Sequence, residues 1–267
     1  MSRRFIPLLK WASILFILTV TAAVSAPYAA IVIDVDSGEV LYEQNADNQL
    51  HPAGLTKLMT LYAAFDAIEK GMVSLDDKIT ISLKAQAEPP VKLGLRAEQT
   101  IKLRYLLRAA AVQGANDAAT AIGEGLDGKE DAFAIRMNGY SKELGMTGSS
   151  WKNAHGLPVQ GHQSTARDIA ILFSAHEKDF PDYFNLFSRI RTHAGLREVS
   201  NSSRRMLGSI KGIQGAKYGF SRKSRHTGAA LVQRGDRKVV GVVLGAISLA
   251  ALNRSMNDIL DDAFAKD

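Results

Sequence analysis

Cysteine is absent from the 267 residues. That excludes a disulfide framework and any thiolate chemistry. It does not fix the compartment, because an exported protein can lack cysteine. The chain also lacks internal repeats, low-complexity runs and a clear linker. Its six histidines are scattered, with no His-Glu-x-x-His or comparable ligand spacing, so neither a metal nor a cofactor is expected. His155 and His162 share a glycine-containing loop and are read as loop structure. Aromatic residues are 7% of the total and form no basic-aromatic stripe. The net charge is +6, but Arg3, Arg4 and Lys10 carry three of those charges within residues 1–26, where there is no acid. About +3 remains for the rest, so nucleic acid is not an expected partner.

What is present begins with a secretory pattern. The basic residues just named precede an apolar run over 11–24, and Val24-Ser25-Ala26 offers small residues for cleavage. The run is shorter than the ~20 residues of a membrane-spanning helix. An uncleaved anchor over 1–26 is the alternative, and it would be the one route to membrane attachment. Residues 27–267 are expected to form one domain, with no second domain after the terminal helix. Export would place it in the periplasm or cell envelope.

Strand patterns cluster at both ends of that domain. YAAIVID (28–34) and EVLYE (39–43) flank the turn Asp36-Ser37-Gly38 and read as a hairpin. KITIS (78–82) is a short alternating strand. Near the other end, 216–221, 229–234 and 238–246 are strand candidates, with Gly235-Asp236 as a hairpin tip. The middle is helical. Leu55, Leu58, Met59, Tyr62, Phe65 and Ile68 have helical spacing, with Pro52 near the entry and Gly71 as a stop. Further helices are expected over 103–112, from 116, over 130–144, from Thr165 and over 252–264. Asn116 or Asp117 is a natural cap for the second of these, and Thr165 with Asp168 is capping-box-like. Residues 88–94, with two prolines, and 151–162 read as loops, and the aromatic stretch 180–188 reads as packed. The arrangement implies an α/β (α+β) fold. One antiparallel sheet built from both chain ends is flanked by helices, with an all-helical subdomain between.

The helix from Leu55 carries Lys57 one turn in, three residues after Gly54 and on the same face. A lysine among apolar neighbours needs a partner or a lowered pKa. Glycine is a poorer helix residue than alanine and caps no better than serine, so local stability does not explain Gly54.

The sequence from His51 to Tyr62 resembles the active-site helix of the penicillin-recognising serine D-Ala-D-Ala carboxypeptidases, which share a fold with the serine β-lactamases. That family has three motifs. Ser-x-x-Lys is Gly54-Leu55-Thr56-Lys57 here. Ser-x-Asn is Gly114-Ala115-Asn116. Lys-Thr-Gly is Lys217-Tyr218-Gly219. Outside them, Pro90 to Gly94, Asn153 to Leu157 and Ser164 to Asp168 are also similar to the family. The resemblance covers roughly residues 28–250.

It implies acyl-transfer chemistry in which the first serine attacks, the first lysine is the base and the second serine relays a proton. Asparagine and the second lysine position the substrate, and the threonine hydroxyl helps hold its terminal carboxylate. Transferred residue by residue, Lys57, Asn116 and Lys217 remain, and the oxyanion-hole N–H groups would be those of Gly54 and Phe220. Both serines and the threonine are gone. Loss of such a nucleophile costs on the order of 10⁶ in turnover. Thr56 and Thr60 face elsewhere on the helix. Tyr218 is expected to fill or narrow the carboxylate pocket, and two lysines are left facing one cleft. Departures in all three motifs suggest a natural pseudoenzyme that binds peptidoglycan stem peptides or an envelope partner. The alternatives are an active carboxypeptidase with a relocated nucleophile, a β-lactamase, for which no Glu-x-x-Leu-Asn is found, and a scaffold whose cleft Tyr218 closes.

Overall fold

The computed structural model describes residues 28–265, so the expected signal and anchor over 1–26 lie outside the described residues. The chain opens with the hairpin β1 (Ala29–Asp34) and β2 (Val40–Gln44). It continues into α1 (Thr56–Glu69), β3 (Lys78–Thr80), α2 (Leu83–Ala87) and β4 (Thr100–Lys102). The helical middle holds α3 (Leu103–Arg108), α4 (Asn116–Asp127), α5 (Glu130–Glu143), α6 (Ala166–Asp179) and α7 (Pro181–Phe184). The small ribbon β5 (Arg191–His193) and β6 (Glu198–Ser200) follows, then α8 (Arg204–Ser209). The chain returns to strands with β7 (Ile213–Ser221), β8 (Arg225–Arg234) and β9 (Arg237–Ala246), and α9 (Leu249–Phe264) is the last element.

The main sheet has the order β2-β1-β9-β8-β7 and is antiparallel throughout. The first and last thirds of the chain therefore meet at the β1–β9 pairing, where Ile31 faces Val242 and Val32 faces Gly241. Side chains alternate across the sheet. Ile31, Ile33, Leu231, Val240 and Val242 join the large core beneath α1 and α6, while Ala30, Val32, Val232, Val239 and Val243 pack beside Leu252, Met256 and Leu260 of α9. All six residues of β1 are buried, as expected of a strand covered on both faces.

Helix α1 runs through the large core. Eleven of its residues are buried, among them Thr56, Lys57 and Thr60. A 3-10 turn over Ala53–Leu55 leads into it, Pro52 precedes that turn, and Gly71 follows the helix with φ +68°. The expectations at both ends of α1 hold.

Three readings need correction. Residues 109–113 do not continue α3 as an α-helix but form a π-helical turn, ended by Gly114. Neither Asn116 nor Asp117 caps α4, because Ala115 occupies that place. The Asp117 carboxylate instead accepts the backbone N–H groups of Leu93, Gly94 and Leu95, tying down the two-proline loop. Thr165 does cap α6, accepting from Asp168 N at 3.0 Å, but Asp168 turns its own carboxylate to Gly148 N and Ser149 Oγ. The sequence reading also missed α2, β4, α7, α8 and the β5–β6 ribbon, all six residues or shorter.

Candidate functional site

The three motifs converge on one cleft of about 170 Å³. The 3-10 turn ahead of α1 contributes Gly54, and the first turn of α1 contributes Lys57. The start of α4 contributes Asn116, the loop after α5 contributes His155 to Leu157, and β7 contributes Tyr218, Gly219 and Phe220. β7 is the edge of the sheet, so its outer backbone faces this cleft rather than another strand.

Lys57 is 2% exposed. Its Nζ donates to Asn116 Oδ1 at 2.7 Å and to the His155 carbonyl at 2.6 Å. Asn116 is fixed in turn, its Nδ2 donating to the Pro89 carbonyl at 2.9 Å. Burial pulls the Lys57 ammonium down to about 7, against the opposing attraction of Glu88 and Asp117. Lys217 is fully buried, and its Nζ donates to the carbonyls of Ala110 and Ala111 at 2.6 and 2.7 Å. These carbonyls belong to the π-helical turn. Burial, with the charge of Lys57 second, holds Lys217 well below the ordinary lysine range. Of the two lysines expected to face the cleft, only Lys57 lines it; Lys217 is buried beside it, behind Gly114, and both hold their protons weakly.

At residue 54 a missing hydroxyl is only part of the difference. A Cβ on Gly54 would lie 3.0 Å from both Gly219 Cα and the Tyr218 carbonyl oxygen. A Cβ on Gly219 would come within 2.5 Å of the Gly54 nitrogen and 2.7 Å of Thr227 Oγ1. β7 therefore sits against the head of α1, backbone to backbone, where a side chain at 54 would begin. Gly114 has φ +81°, a region L side chains rarely adopt, so a serine there would be strained.

The structure also shows where the surviving hydroxyls go. Thr56 Oγ1 is bonded to His162 Nε2 at 2.8 Å, and Thr60 Oγ1 donates to the Ala154 carbonyl at 2.6 Å. Neither reaches the cleft. Tyr218 forms part of the cleft wall, but its hydroxyl is engaged with His226 Nδ1 at 2.8 Å and its ring packs beside the α9-side core. The cleft stays open beside it, which argues against closure by Tyr218.

Sequence reasoning missed two hydroxyls. Thr227, fully buried on β8, donates toward the Pro52 and Gly219 carbonyls at 3.3 and 3.2 Å. Ser202 lines the cleft, its Oγ 3.6 Å from where a Cβ on Gly114 would stand. Nothing in the local sequence marks either, because both arrive from segments far along the chain.

His155 belongs to the cleft wall as well as to its loop. Its Nε2 lies 3.4 Å from Glu88 Oε1 and 3.5 Å from Glu130 Oε1, and all three side chains are buried. Three such ligand types within 4.8 Å of one another could hold a metal ion. The hydrogen bonding points the other way. The Leu157 N–H donates to His155 Nδ1 at 3.0 Å, so the neutral ring carries its proton on Nε2, aimed between the carboxylates. A metal-bound imidazole keeps its proton on the other nitrogen and donates from it. Burial, helped by the Lys57 charge, lowers the His155 pKa to about 3 and keeps the ring neutral. Burial, with Glu130 adding to it, raises the Glu88 carboxyl.

Comparison with known proteins agrees with this fold. The family described as D-alanyl-D-alanine carboxypeptidase matches residues 18–248, and the chain belongs to that family. Its similarity to the carboxypeptidase DacF of Bacillus subtilis is 30% identity over 89% of this chain and 62% of that protein. For DacC of Escherichia coli it is 32% over 82% of this chain and 56% of that protein. The chain thus spans less than two thirds of the length of these relatives. Among solved structures, penicillin-binding protein D2 of Listeria monocytogenes in its ampicillin-bound form superposes with a TM-score of 0.81 at 30% identity. That match covers 88% of this chain and 96% of the other. Penicillin-binding protein 6B of Escherichia coli gives 0.79 at 28% identity, over 89% and 76%. The mixed fold expected from the sequence is the fold of these penicillin-binding proteins.

Proposed function

We propose that this chain is a catalytically silent member of its family that holds a peptidoglycan stem peptide in the cleft without cleaving it. The observation that carries this reading is the contact between Gly54 and β7. The position from which a nucleophile would project has no side chain, and Gly219 Cα and the Tyr218 carbonyl oxygen stand only 3.0 Å from where its Cβ would begin. What remains is suited to binding. A terminal carboxylate entering the cleft would raise the lowered pKa of Lys57 in its wall and of Lys217 buried beside it, and so draw positive charge to itself. Asn116 is oriented for an amide, and an edge strand can take an extended peptide alongside. The ligand class comes from the relatives, which are named as D-alanyl-D-alanine carboxypeptidases. Among the described residues no helix is long and apolar enough to cross a membrane. A signal over 1–26 would deliver the domain to the periplasm or envelope. An envelope protein presenting a carboxylate-ended segment is the other occupant that this cleft would accept.

One observation favours a second reading, an active carboxypeptidase with a relocated nucleophile. Ser202 is the one serine or threonine among the described residues lining the cleft. Titration with an N-acylated tripeptide ending in Lys-D-Ala-D-Ala, followed both by calorimetry and by D-alanine release, separates the two. Saturable binding without release, weakened in Lys217→Met, is expected. Release of D-alanine that disappears in Ser202→Ala would establish the second reading, and absence of saturable binding at millimolar peptide would remove the first.

A further inference from the structure

A second pocket, of about 200 Å³, opens away from the residues that line the cleft. Its walls come from α3 and from the segment that begins with α7 and continues through a 3-10 turn over Asn185–Phe187. Leu75, Leu107, Leu186 and Tyr183 make the apolar part, and Arg104, Arg108 and Arg189 stand around it.

These arginines are not equivalent. Arg104 is matched by an acid, its Nη2 2.5 Å from Asp76 Oδ2, although its buried Nε has no partner. Arg108 and Arg189 have only neutral acceptors. Arg108 Nη1 donates to the His193 carbonyl at 3.2 Å and its guanidinium lies 5.5 Å from the Tyr105 ring centroid. Arg189 Nη2 donates to Asn185 Oδ1 at 2.6 Å. Neither forms an ion pair with a described acid. Asp182 also lines the pocket, but it is exposed and pairs with neither. Burial and the neighbouring charge of Arg108 both push the Arg189 pKa down. The two cations are therefore close enough to repel, half-buried, and uncompensated.

We infer that this pocket is a binding site for a small carboxylate bearing a short apolar body, with Arg108 and Arg189 holding the carboxylate and the leucine wall holding the body. Guanidinium forks match a carboxylate in shape and charge, and a bound anion would relieve the repulsion between them. The apolar lining sets the second requirement, since an inorganic anion would leave Leu75, Leu107 and Leu186 uncovered. Two sources share this chemistry, a free short-chain acid and the apolar C-terminal residue of a peptide.

The site shares its backbone with the cleft. Arg108 is the residue immediately before the π-helical turn whose carbonyls hold Lys217. The Arg189 carbonyl accepts from Asn201 Nδ2 at 2.9 Å, next to Ser202 in the cleft wall. The inference nevertheless stands apart from the function proposed for the cleft, because it uses none of the residues lining it.

Calorimetric titration of the whole chain with hexanoate, hexanol, N-acetyl-leucine and inorganic phosphate tests it. Hexanoate or N-acetyl-leucine is expected to bind at one site per chain, at least about tenfold tighter than hexanol or phosphate. The tighter of the two acids identifies the source. Arg108→Gln and Arg189→Gln are each expected to weaken the acid by about tenfold while leaving the stem-peptide titration unchanged. Equal affinity for hexanoate and hexanol would overturn the proposal, and that comparison needs no substitution. So would phosphate binding as tightly as hexanoate, or acid binding that persists in both folded arginine variants.

Discussion

At the scale of single residues, the decisive feature is a contact between two glycines. The sequence shows that Gly54 replaces a serine of the family motif, but not that Gly219 lies against it. That contact joins residues 165 positions apart, and local pattern carries no information about it. It sets an expected ranking of substitutions. Gly219→Ala drives a methyl to 2.5 Å from the Gly54 nitrogen, a backbone atom that cannot turn away, and should destabilise by about 2 kcal/mol in urea unfolding. Gly54→Ala meets its neighbours at 3.0 Å, and a shift of a few tenths of an ångström relieves it, so the cost should be below about 1 kcal/mol. Equal costs would mean that the two backbones are less closely packed than described. The partners of Lys57 were legible in part. Its need for a partner follows from its apolar neighbours, but the sequence did not mark Asn116 as that partner, since the family motif gives asparagine a role toward substrate. The His155 carbonyl, its other acceptor, is reached only through the folding of a distant loop.

Among the elements, those read well are long and periodic. α1, α5, α6, α9 and the five strands of the main sheet follow from 3.6- or 2-residue spacing and from glycine or cap residues at their ends. The elements missed are short, and each depends on what it packs against. The π-helical turn over 109–113 is one example. Its alanine-rich sequence reads as ordinary helix, yet the Ala110 and Ala111 carbonyls accept from Lys217, more than a hundred residues later. Lys217→Met should therefore leave two buried carbonyls without a donor. A loss of about 3 kcal/mol in stability is expected, with faster amide exchange concentrated in 109–115. Exchange that rises uniformly over the chain instead would show that Lys217 does not hold the turn. The same substitution weakens peptide binding in the cleft, so the exchange map separates its structural role from its charge.

For the whole molecule, the topology was legible because strands stand at both ends of the chain and helices in the middle, which leaves one sheet closed by β1 and β9. A global acid sensitivity was not legible, since it arises from burial. His51, His162 and His176 are held neutral, pulled down to about 4, 3 and 4 chiefly by burial. Each binds its proton more weakly folded than unfolded, so the unfolded chain takes up more protons as pH falls through 6.5. Stability is then full above about 6.5 and is lost toward 4. His162 and His176 each contribute a loss of about 3 kcal/mol by that point, a large share of the stability of an ordinary domain. Raised carboxyls at Glu88 and Asp168 act in the opposite sense and offset part of it. Unfolding is expected between about pH 6 and 4 in circular dichroism. His176→Gln, which keeps a donor for the Leu58 carbonyl, should move the midpoint to lower pH. A midpoint that does not move would place the acid sensitivity elsewhere.

The absence of covalent chemistry is tested most directly by incubating the purified chain with a fluorescent penicillin, beside Gly54→Ser and the triple variant Gly54→Ser, Gly114→Ser, Tyr218→Thr. The native chain should remain unlabelled under denaturing electrophoresis. The single variant should label weakly, because β7 must move to make room for the serine, and the triple variant should label more, limited by strain at residue 114. Covalent labelling of the native chain would contradict the account, and peptide mapping of the adduct would then show which residue, Ser202 first among them, acts in place of the missing serine.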